Sequence, residues 1–130
     1  YLELVSDKSA ILVDECQFLT EEQIDQLASI VDKLEIDVMC FGLRTDFQTK
    51  MFPASKRLME IADDIEEIKA RCKCGRKTIV NARFDSNGEV VLNGNQVLVG
   101  GDKLYTPLCR KCYETAKKDK ILKENKDNED

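Results

Sequence analysis

The chain has 130 residues, of which 42% are hydrophobic and 35% are charged, and its formal net charge is −5. These values are typical of one ordinary globular domain or two small ones with a hydrophobic core. They argue against a protein that binds polymeric nucleic acid, because no basic stripe offsets the acidic balance. No apolar run is long enough to cross a bilayer and no secretion-signal pattern occurs, so we expect a cytoplasmic protein.

The first predicted element is a strand that ends in two acidic residues. The apolar run Ala10–Val13 indicates a parallel strand covered on both faces, and Asp14 and Glu15 follow it directly. Ligands of open α/β sheets lie beyond the carboxyl ends of the strands, and an acid at such an end can hold the Mg²⁺ of a bound nucleotide. The alternative is that both acids only face solvent.

A helix and a second strand follow. Thr20 and Gln23 form a capping-box pattern at the start of the helix. Apolar residues then recur at helical spacing and predict a buried face, consisting of Ile24, Leu27, Ala28, Val31 and Leu34. The apolar run at 36–43 predicts the second strand, which completes a strand–helix–strand unit. We interpret Cys16 and Cys40, which belong to apolar runs, as core residues rather than metal ligands.

A loop is predicted after the second strand, within residues 42–57. It would lie at the carboxyl end of the sheet, on the side where the two acids emerge. Phe47 and Phe52 lie within it, either as walls of a pocket or as anchors that fix the loop. A helix is predicted over residues 55–65, with an inward face of Leu58, Ile61, Ala62 and Ile65. Residues 66–72 then predict a strand that crosses into the next part of the chain.

Two close pairs of cysteines follow, Cys72 with Cys74 and Cys109 with Cys112. Two such pairs around a β-rich insert are typical of a structural zinc site with four thiolate ligands. Disulfides would need an oxidising compartment, for which the sequence gives no sign. Four unrelated core cysteines are the third possibility. Beyond the last pair, the composition predicts a short helix that fades into a charged, solvated tail.

Four stretches together resemble one known family. They are ILVDECQF, CFGLRTDFQTKMF, ARCKCGRK and VLVGGDKLYTPLCRKCYE, which occur in this order within residues 2–116. The chain is similar to the cellular-type (type II) thymidine kinases. The resemblance implies an α/β fold, with part of a P-loop (RecA-like) parallel-sheet core followed by a small zinc-ribbon β domain and a lasso loop. The implied ranges are 1–64 for the core, 65–117 for the zinc-binding lasso domain and 118–130 for the tail.

The resemblance also implies an activity. Members of this family are transferases that move the γ-phosphate of ATP to the 5′-hydroxyl of thymidine, which gives dTMP for DNA synthesis. The implied cofactors are structural Zn²⁺ and Mg²⁺, and the implied partners are thymidine, ATP and further copies of the chain in a homotetramer.

Residue roles are implied position by position. Asp14 matches the acid near Mg-ATP, and Glu15 matches the catalytic base. The positions that match the thymidine site are Phe18, Leu43, Phe47, Gln96, Val97, Leu98, Val99, Gly100 and Tyr105. The positions that match the zinc ligands are Cys72, Cys74, Cys109 and Cys112. Asn81 stands where animal relatives carry a small hydroxyl residue.

The glycine-rich phosphate loop of the family is not among these residues. We therefore expect the chain to be the later part of a longer protein, inactive alone although the parent protein is active. One competing hypothesis is a zinc-ribbon interaction module without catalysis. Another is an unrelated P-loop ATPase with a zinc insert.

Overall fold

The computed structural model describes residues 10–96 and 104–129. These residues form two compact units. The first comprises the described residues up to Arg44 together with Met51–Ile65, and the second comprises Thr45–Lys50 together with the described residues from Glu66 onward.

The first unit contains the predicted strand–helix–strand arrangement. Strand β1 spans Ala10–Val13, helix α1 spans Glu21–Leu34 and strand β2 spans Asp37–Cys40. The two strands pair in parallel, with Ala10 opposite Asp37. Helix α2, Pro53–Ile61, follows the loop after β2, and a short 3₁₀ turn at Cys16–Phe18 follows β1. The predicted α/β class with a parallel sheet is confirmed.

Helix α1 begins as its sequence predicts. The Thr20 hydroxyl accepts a hydrogen bond from the Gln23 amide at 3.1 Å, and the Gln23 side chain accepts one from the Thr20 amide at 2.9 Å. This reciprocal pair satisfies two amides that the first helical turn leaves without partners. The helix buries its apolar stripe in the core of this unit, which consists of Ile24, Leu27, Ile30, Ile36 and Ala54.

Two expectations about buried faces are wrong. Leu12 and Met39 are 68% and 52% exposed, so within the described residues only one face of this sheet is covered. Side chains alternate between the two faces of a strand, and only the face with Ile11 and Val13 packs against the core. The predicted helix over 55–65 starts earlier and ends at Ile61; Ala62 is extended and exposed, which leaves Ile65 53% exposed.

The second unit is built on an antiparallel pair. Strand β3 spans Val80–Phe84, strand β4 spans Leu104–Leu108, and helix α3 spans Arg110–Glu129. The residues that form its core are Cys72, Val80, Ala82, Val90, Leu108, Cys109 and Tyr113. The strand predicted over residues 66–72 is wrong, because only Arg71 there makes an isolated bridge, to Lys77. Residues 66–71 are all exposed, so they have no face to bury.

Helix α3 is longer than the predicted short helix. It continues to Glu129, and residues 121–126 are all exposed. The charged side chains of this part are therefore solvated on the surface of a helix rather than in an irregular tail. Within residues 10–96 and 104–129, no helix combines the length and apolar character needed to cross a membrane.

Candidate functional site

The four paired cysteines of the second unit converge. The Sγ atoms of Cys72, Cys74, Cys109 and Cys112 all lie within 4.8 Å of one another, and those of Cys74 and Cys109 are 3.5 Å apart. Four thiolates about 2.3 Å from a tetrahedral Zn²⁺ would be separated by about 3.8 Å. The donor set and its spacing therefore fit a metal ion such as zinc.

Local backbone structure brings each pair to the cluster. The Cys72 amide donates to the Arg76 carbonyl at 2.7 Å, and the Gly75 amide donates to the Cys72 carbonyl at 2.8 Å. Gly75 has a φ of 93°, a conformation that glycine adopts without strain. Cys109 lies between β4 and α3, and its sulfur accepts a hydrogen bond from the Cys112 amide at 3.4 Å.

The cysteines differ in acidity. Hydrogen bonds from the Arg76 backbone and from Cys109 lower the pKa of Cys74 to about 6. Backbone hydrogen bonds also lower the pKa of Cys72. Hydrogen bonds to the Cys109, Cys72 and Cys74 sulfurs, which favour the protonated form, raise the pKa of Cys112 to about 12. Cys72 and Cys74 therefore lose their protons more easily than an ordinary cysteine, whereas ionisation of all four thiols requires a bound cation to offset their negative charges.

The two acids of the first unit lie immediately after β1 and are exposed. The Glu15 amide donates to Asp14 Oδ1 at 2.9 Å. Glu15 has φ 54° and ψ 41°, which is the left-handed region. For a residue other than glycine this conformation costs about 1 kcal/mol or more, and such strain is concentrated at functional positions.

A buried glutamine holds the Glu15 carboxylate. Gln17 is 2% exposed, its Nε2 donates to Glu15 Oε2 at 2.5 Å, and its Oε1 accepts from the Leu43 amide at 3.1 Å. Gly42 leaves space for this side chain, because a Cβ there would lie 2.6 Å from Gln17 Oε1. Gln17 is a site residue that the sequence did not predict. Its only signal was a polar residue between Cys16 and Phe18, in an otherwise apolar turn.

Phe18 and Leu43 are both accessible, with exposed fractions of 55% and 41%. The ring of Phe18 packs edge-on against Phe52, with the centroids 6.1 Å apart. Phe52 is 4% exposed, so it anchors the loop rather than lining a pocket. The Leu43 carbonyl accepts a hydrogen bond from the Ser55 hydroxyl at 2.5 Å.

Three predicted site residues meet around an arginine in the second unit. Phe47 is 2% exposed, and the Arg83 guanidinium lies 3.7 Å from its ring centroid. Arg83 Nε donates to the Tyr105 hydroxyl at 2.8 Å, and Arg83 Nη2 lies 3.4 Å from the Gln96 carbonyl. Sequence reasoning missed Arg83; its only signal was a charge on a strand otherwise rich in small and apolar residues.

The remaining predicted residues divide between the units. Asp14, Glu15, Phe18 and Leu43 belong to the first unit, whereas Phe47, Gln96, Tyr105 and the four cysteines belong to the second. Val97, Leu98, Val99 and Gly100 lie outside the described residues. Asn81 is half-buried and opposite Pro107 in β4. The functional roles of these residues stay predictions.

The described residues thus define an α/β protein with a cluster of four cysteines whose geometry fits a metal ion. A family model for thymidine kinase matches residues 2–113. The chain is 47% identical over 118 residues to a thymidine kinase of Legionella pneumophila (strain Paris), which covers 91% of this chain. It is 53% identical over 103 residues to a thymidine kinase of Agrobacterium fabrum (strain C58), which covers 79% of this chain. The chain therefore belongs to the thymidine kinase family.

The chain spans only about half of these relatives. The aligned part is 56% of the Legionella protein and 53% of the Agrobacterium protein. A thymidine kinase of Vibrio vulnificus (strain CMCP6) is similar, with 47% identity over 86% of this chain and 58% of the relative.

Proposed function

We propose that this chain forms the acceptor and zinc-binding part of a thymidine kinase. The whole protein would transfer the γ-phosphate of ATP to the 5′-hydroxyl of thymidine. One observation supports this most directly: an exposed carboxylate at a strand end, Glu15, is held by a buried glutamine that also bonds the Leu43 backbone. A base that is fixed next to a predicted nucleoside-binding residue is what this reaction needs.

Phosphoryl transfer depends mainly on positioning and charge neutralisation. Glu15 would accept the proton of the 5′-hydroxyl, and its hydrogen bond from Gln17 limits the directions in which its carboxylate can point. Asp14 would hold Mg²⁺, which neutralises charge on the ATP phosphates when bound. The Asp14 carboxylate caps the Glu15 amide, so both acids are oriented by the same short turn.

The nucleoside would lie against flat and apolar side chains. Phe18 and Leu43 are accessible in the first unit, and Tyr105, 44% exposed, is accessible in the second. In the second unit, Gln96 would also contribute to thymidine binding, and Phe47, which is 2% exposed beneath Arg83, would support it without direct contact. Val97, Leu98, Val99 and Gly100, which lie outside the described residues, are further proposed positions of thymidine binding.

The four cysteines would hold one Zn²⁺ in a structural role. No position in the set is left open for a substrate, since four sulfurs complete a tetrahedral shell. A P-loop core, a homotetrameric assembly and a cytoplasmic location, all implied by the family resemblance, complete the proposal.

The test measures phosphorylation of thymidine by the full natural polypeptide that contains this chain. Glu15→Gln should lower kcat by about 100-fold or more, because the general base is lost. Glu22→Gln is the matched control, since it changes an exposed glutamate in the first turn of α1. If the full natural polypeptide phosphorylates no thymidine, the proposed kinase activity is refuted. Full activity of Glu15→Gln would remove Glu15 as the base.

A zinc-containing interaction module is the second candidate, and one feature favours it. An open groove of about 740 Å³ in the second unit is lined by several basic side chains, among them Lys73, Arg76 and Lys111. Such a groove could hold an acidic partner. The two candidates differ in the Glu15→Gln variant, which should leave an interaction module unaffected.

A further inference from the structure

Arg83 is a charged residue in the interior of the second unit. It is 1% exposed, which makes it the largest fully buried side chain among the described residues. Burying a guanidinium is costly unless its donors and its charge are compensated. Its plane lies over the ring of Phe47 at 3.7 Å, and its Nε donates to Tyr105. The cation–π contact and the hydrogen bond compensate the burial in part.

A carboxylate is connected to Arg83 through one residue. The Gln96 backbone carbonyl lies 3.4 Å from Arg83 Nη2, and the Gln96 side-chain Nε2 donates to Asp46 Oδ2 at 2.8 Å. Asp46 is 4% exposed, and its other oxygen accepts from the backbone amides of Gln48 and Lys50. Gln96 therefore links a buried cation to a buried anion.

A glycine allows the main chain to pass this cluster. Gly94 has a φ of 137°, and a Cβ there would lie 3.4 Å from Arg83 Nη1 and 3.9 Å from Phe47 Cζ. A Cβ at Gly94 would therefore only contact the guanidinium, and the φ of the backbone, rather than a lack of space, opposes a side chain there.

The bond between Arg83 and Tyr105 fixes the direction of a proton. Arginine has donors but no acceptor, so the Tyr105 hydroxyl must act as the acceptor in this bond. The single hydroxyl proton of Tyr105 then points elsewhere. Because Tyr105 is 44% exposed, this proton is available to an acceptor outside the protein core.

We infer that Arg83 is a positioning residue that holds Phe47 and Gln96 and makes the Tyr105 hydroxyl a hydrogen-bond donor to the nucleoside. The ligand acceptor would be a carbonyl or hydroxyl oxygen of thymidine. The identity of the ligand rests on the proposed function, whereas the role of Arg83 towards Tyr105 does not. Arg83 itself does not touch the nucleoside.

The first experiment needs no ligand. Tyrosine and arginine side chains of the zinc-loaded chain are observed by NMR in the natural form, in Arg83→Met and in Arg57→Met. Arg57 is a partly exposed arginine on α2 that pairs with Asp25, so it is the matched control. We expect a slowly exchanging Arg83 Nε proton, and a shift of the Tyr105 ring carbons in Arg83→Met only. Unchanged Tyr105 signals in Arg83→Met would overturn the inference.

The second experiment titrates thymidine into the full natural polypeptide that contains this chain. Arg83→Met and Tyr105→Phe should each weaken binding by about tenfold, and the double variant should be no weaker than either, because both changes remove one donor. Arg83→Lys should restore only part of the affinity, since an ammonium does not reproduce the planar guanidinium. Natural affinity in Arg83→Met, or additive losses in the double variant, would overturn the inference. A full natural polypeptide that binds no thymidine would count against the proposed function, and the ligand-free NMR comparison would then decide the role of Arg83.

Discussion

Gly42 lies where the first unit has no space for a side chain, and Gly42→Ala is the most direct test of its packing. A Cβ at this position would lie 2.6 Å from Cys16 Sγ, 2.6 Å from Gln17 Oε1 and 3.1 Å from the Gln17 amide nitrogen. Ordinary contacts of this kind are about 3.5–4 Å. The neighbours must therefore move by about 1 Å, and both belong to the buried turn after β1.

The expected loss follows from two contributions. Overpacking of this size costs about 1–3 kcal/mol. Displacing the Gln17 side chain also breaks its bond to the Leu43 amide, which adds about 1 kcal/mol. We therefore expect Gly42→Ala to lower the free energy of unfolding by about 2–4 kcal/mol. Because Gln17 also holds Glu15, thymidine phosphorylation by the full natural polypeptide should fall as well.

Urea unfolding followed by circular dichroism measures the first effect. Gly88→Ala is the control, because nothing lies within 4 Å of a Cβ there and only its φ of 79° opposes the change. That control should cost about 1 kcal/mol. The double variant Cys16→Ala with Gly42→Ala removes one of the two atoms that would lie 2.6 Å from the new Cβ, so it should lose less than the sum of the single losses. A Gly42→Ala chain as stable as the natural one would refute this account of the packing.

Three further predictions concern the helix cap and the cysteines. Thr20→Ala should lower the free energy of unfolding by about 1 kcal/mol, because it removes the cap of α1. The control Thr115→Ala should cost less than half as much, because its hydroxyl bonds to a carbonyl within α3. Equal losses in urea titrations would contradict the capping argument. Zinc affinity, measured with a competing chelator, should fall as the pH drops from about 8 to 5, because the Cys112 thiol, whose pKa is raised to about 12, must lose its proton when the metal binds. The fall should steepen below about pH 6, where Cys74 is also protonated, and an affinity that is constant between about pH 5 and 8 would contradict this. In the metal-free chain at about pH 8, iodoacetamide should alkylate Cys74 much faster than Cys16. The reason is that hydrogen bonds lower the pKa of Cys74 to about 6, whereas burial raises the pKa of Cys16 to about 11. Equal alkylation rates in peptide mapping would contradict this difference in acidity.

Local patterns in the sequence predicted the features that depend on neighbouring residues. The cap at Thr20 needs only Gln23, three residues away, and the order strand, helix, strand follows from apolar spacing. The convergence of the four cysteines was also predictable, because their chemistry restricts them to few arrangements.

Features that depend on distant partners were not predictable in this way. Burial of Arg83 requires the ring of Phe47 and the hydroxyl of Tyr105, which are far from it in sequence. No periodic pattern in the sequence around Arg83 indicates that these side chains will be in contact. The apolar run of β1 was also ambiguous, because composition does not reveal which elements cover each face, and Leu12 is exposed as a result.

The short segment Thr45–Lys50 lies between stretches of the first unit but belongs to the second. The polypeptide therefore passes between units at three peptide links, after Arg44, Lys50 and Ile65. A single cleavage after Ile65 would separate most of the second unit from the ring that covers Arg83 and from the Phe47 carbonyl that accepts the Tyr113 hydroxyl. The second unit therefore cannot be produced intact by truncating the chain at one position, because Thr45–Lys50, which completes its interior, precedes part of the first unit in the sequence.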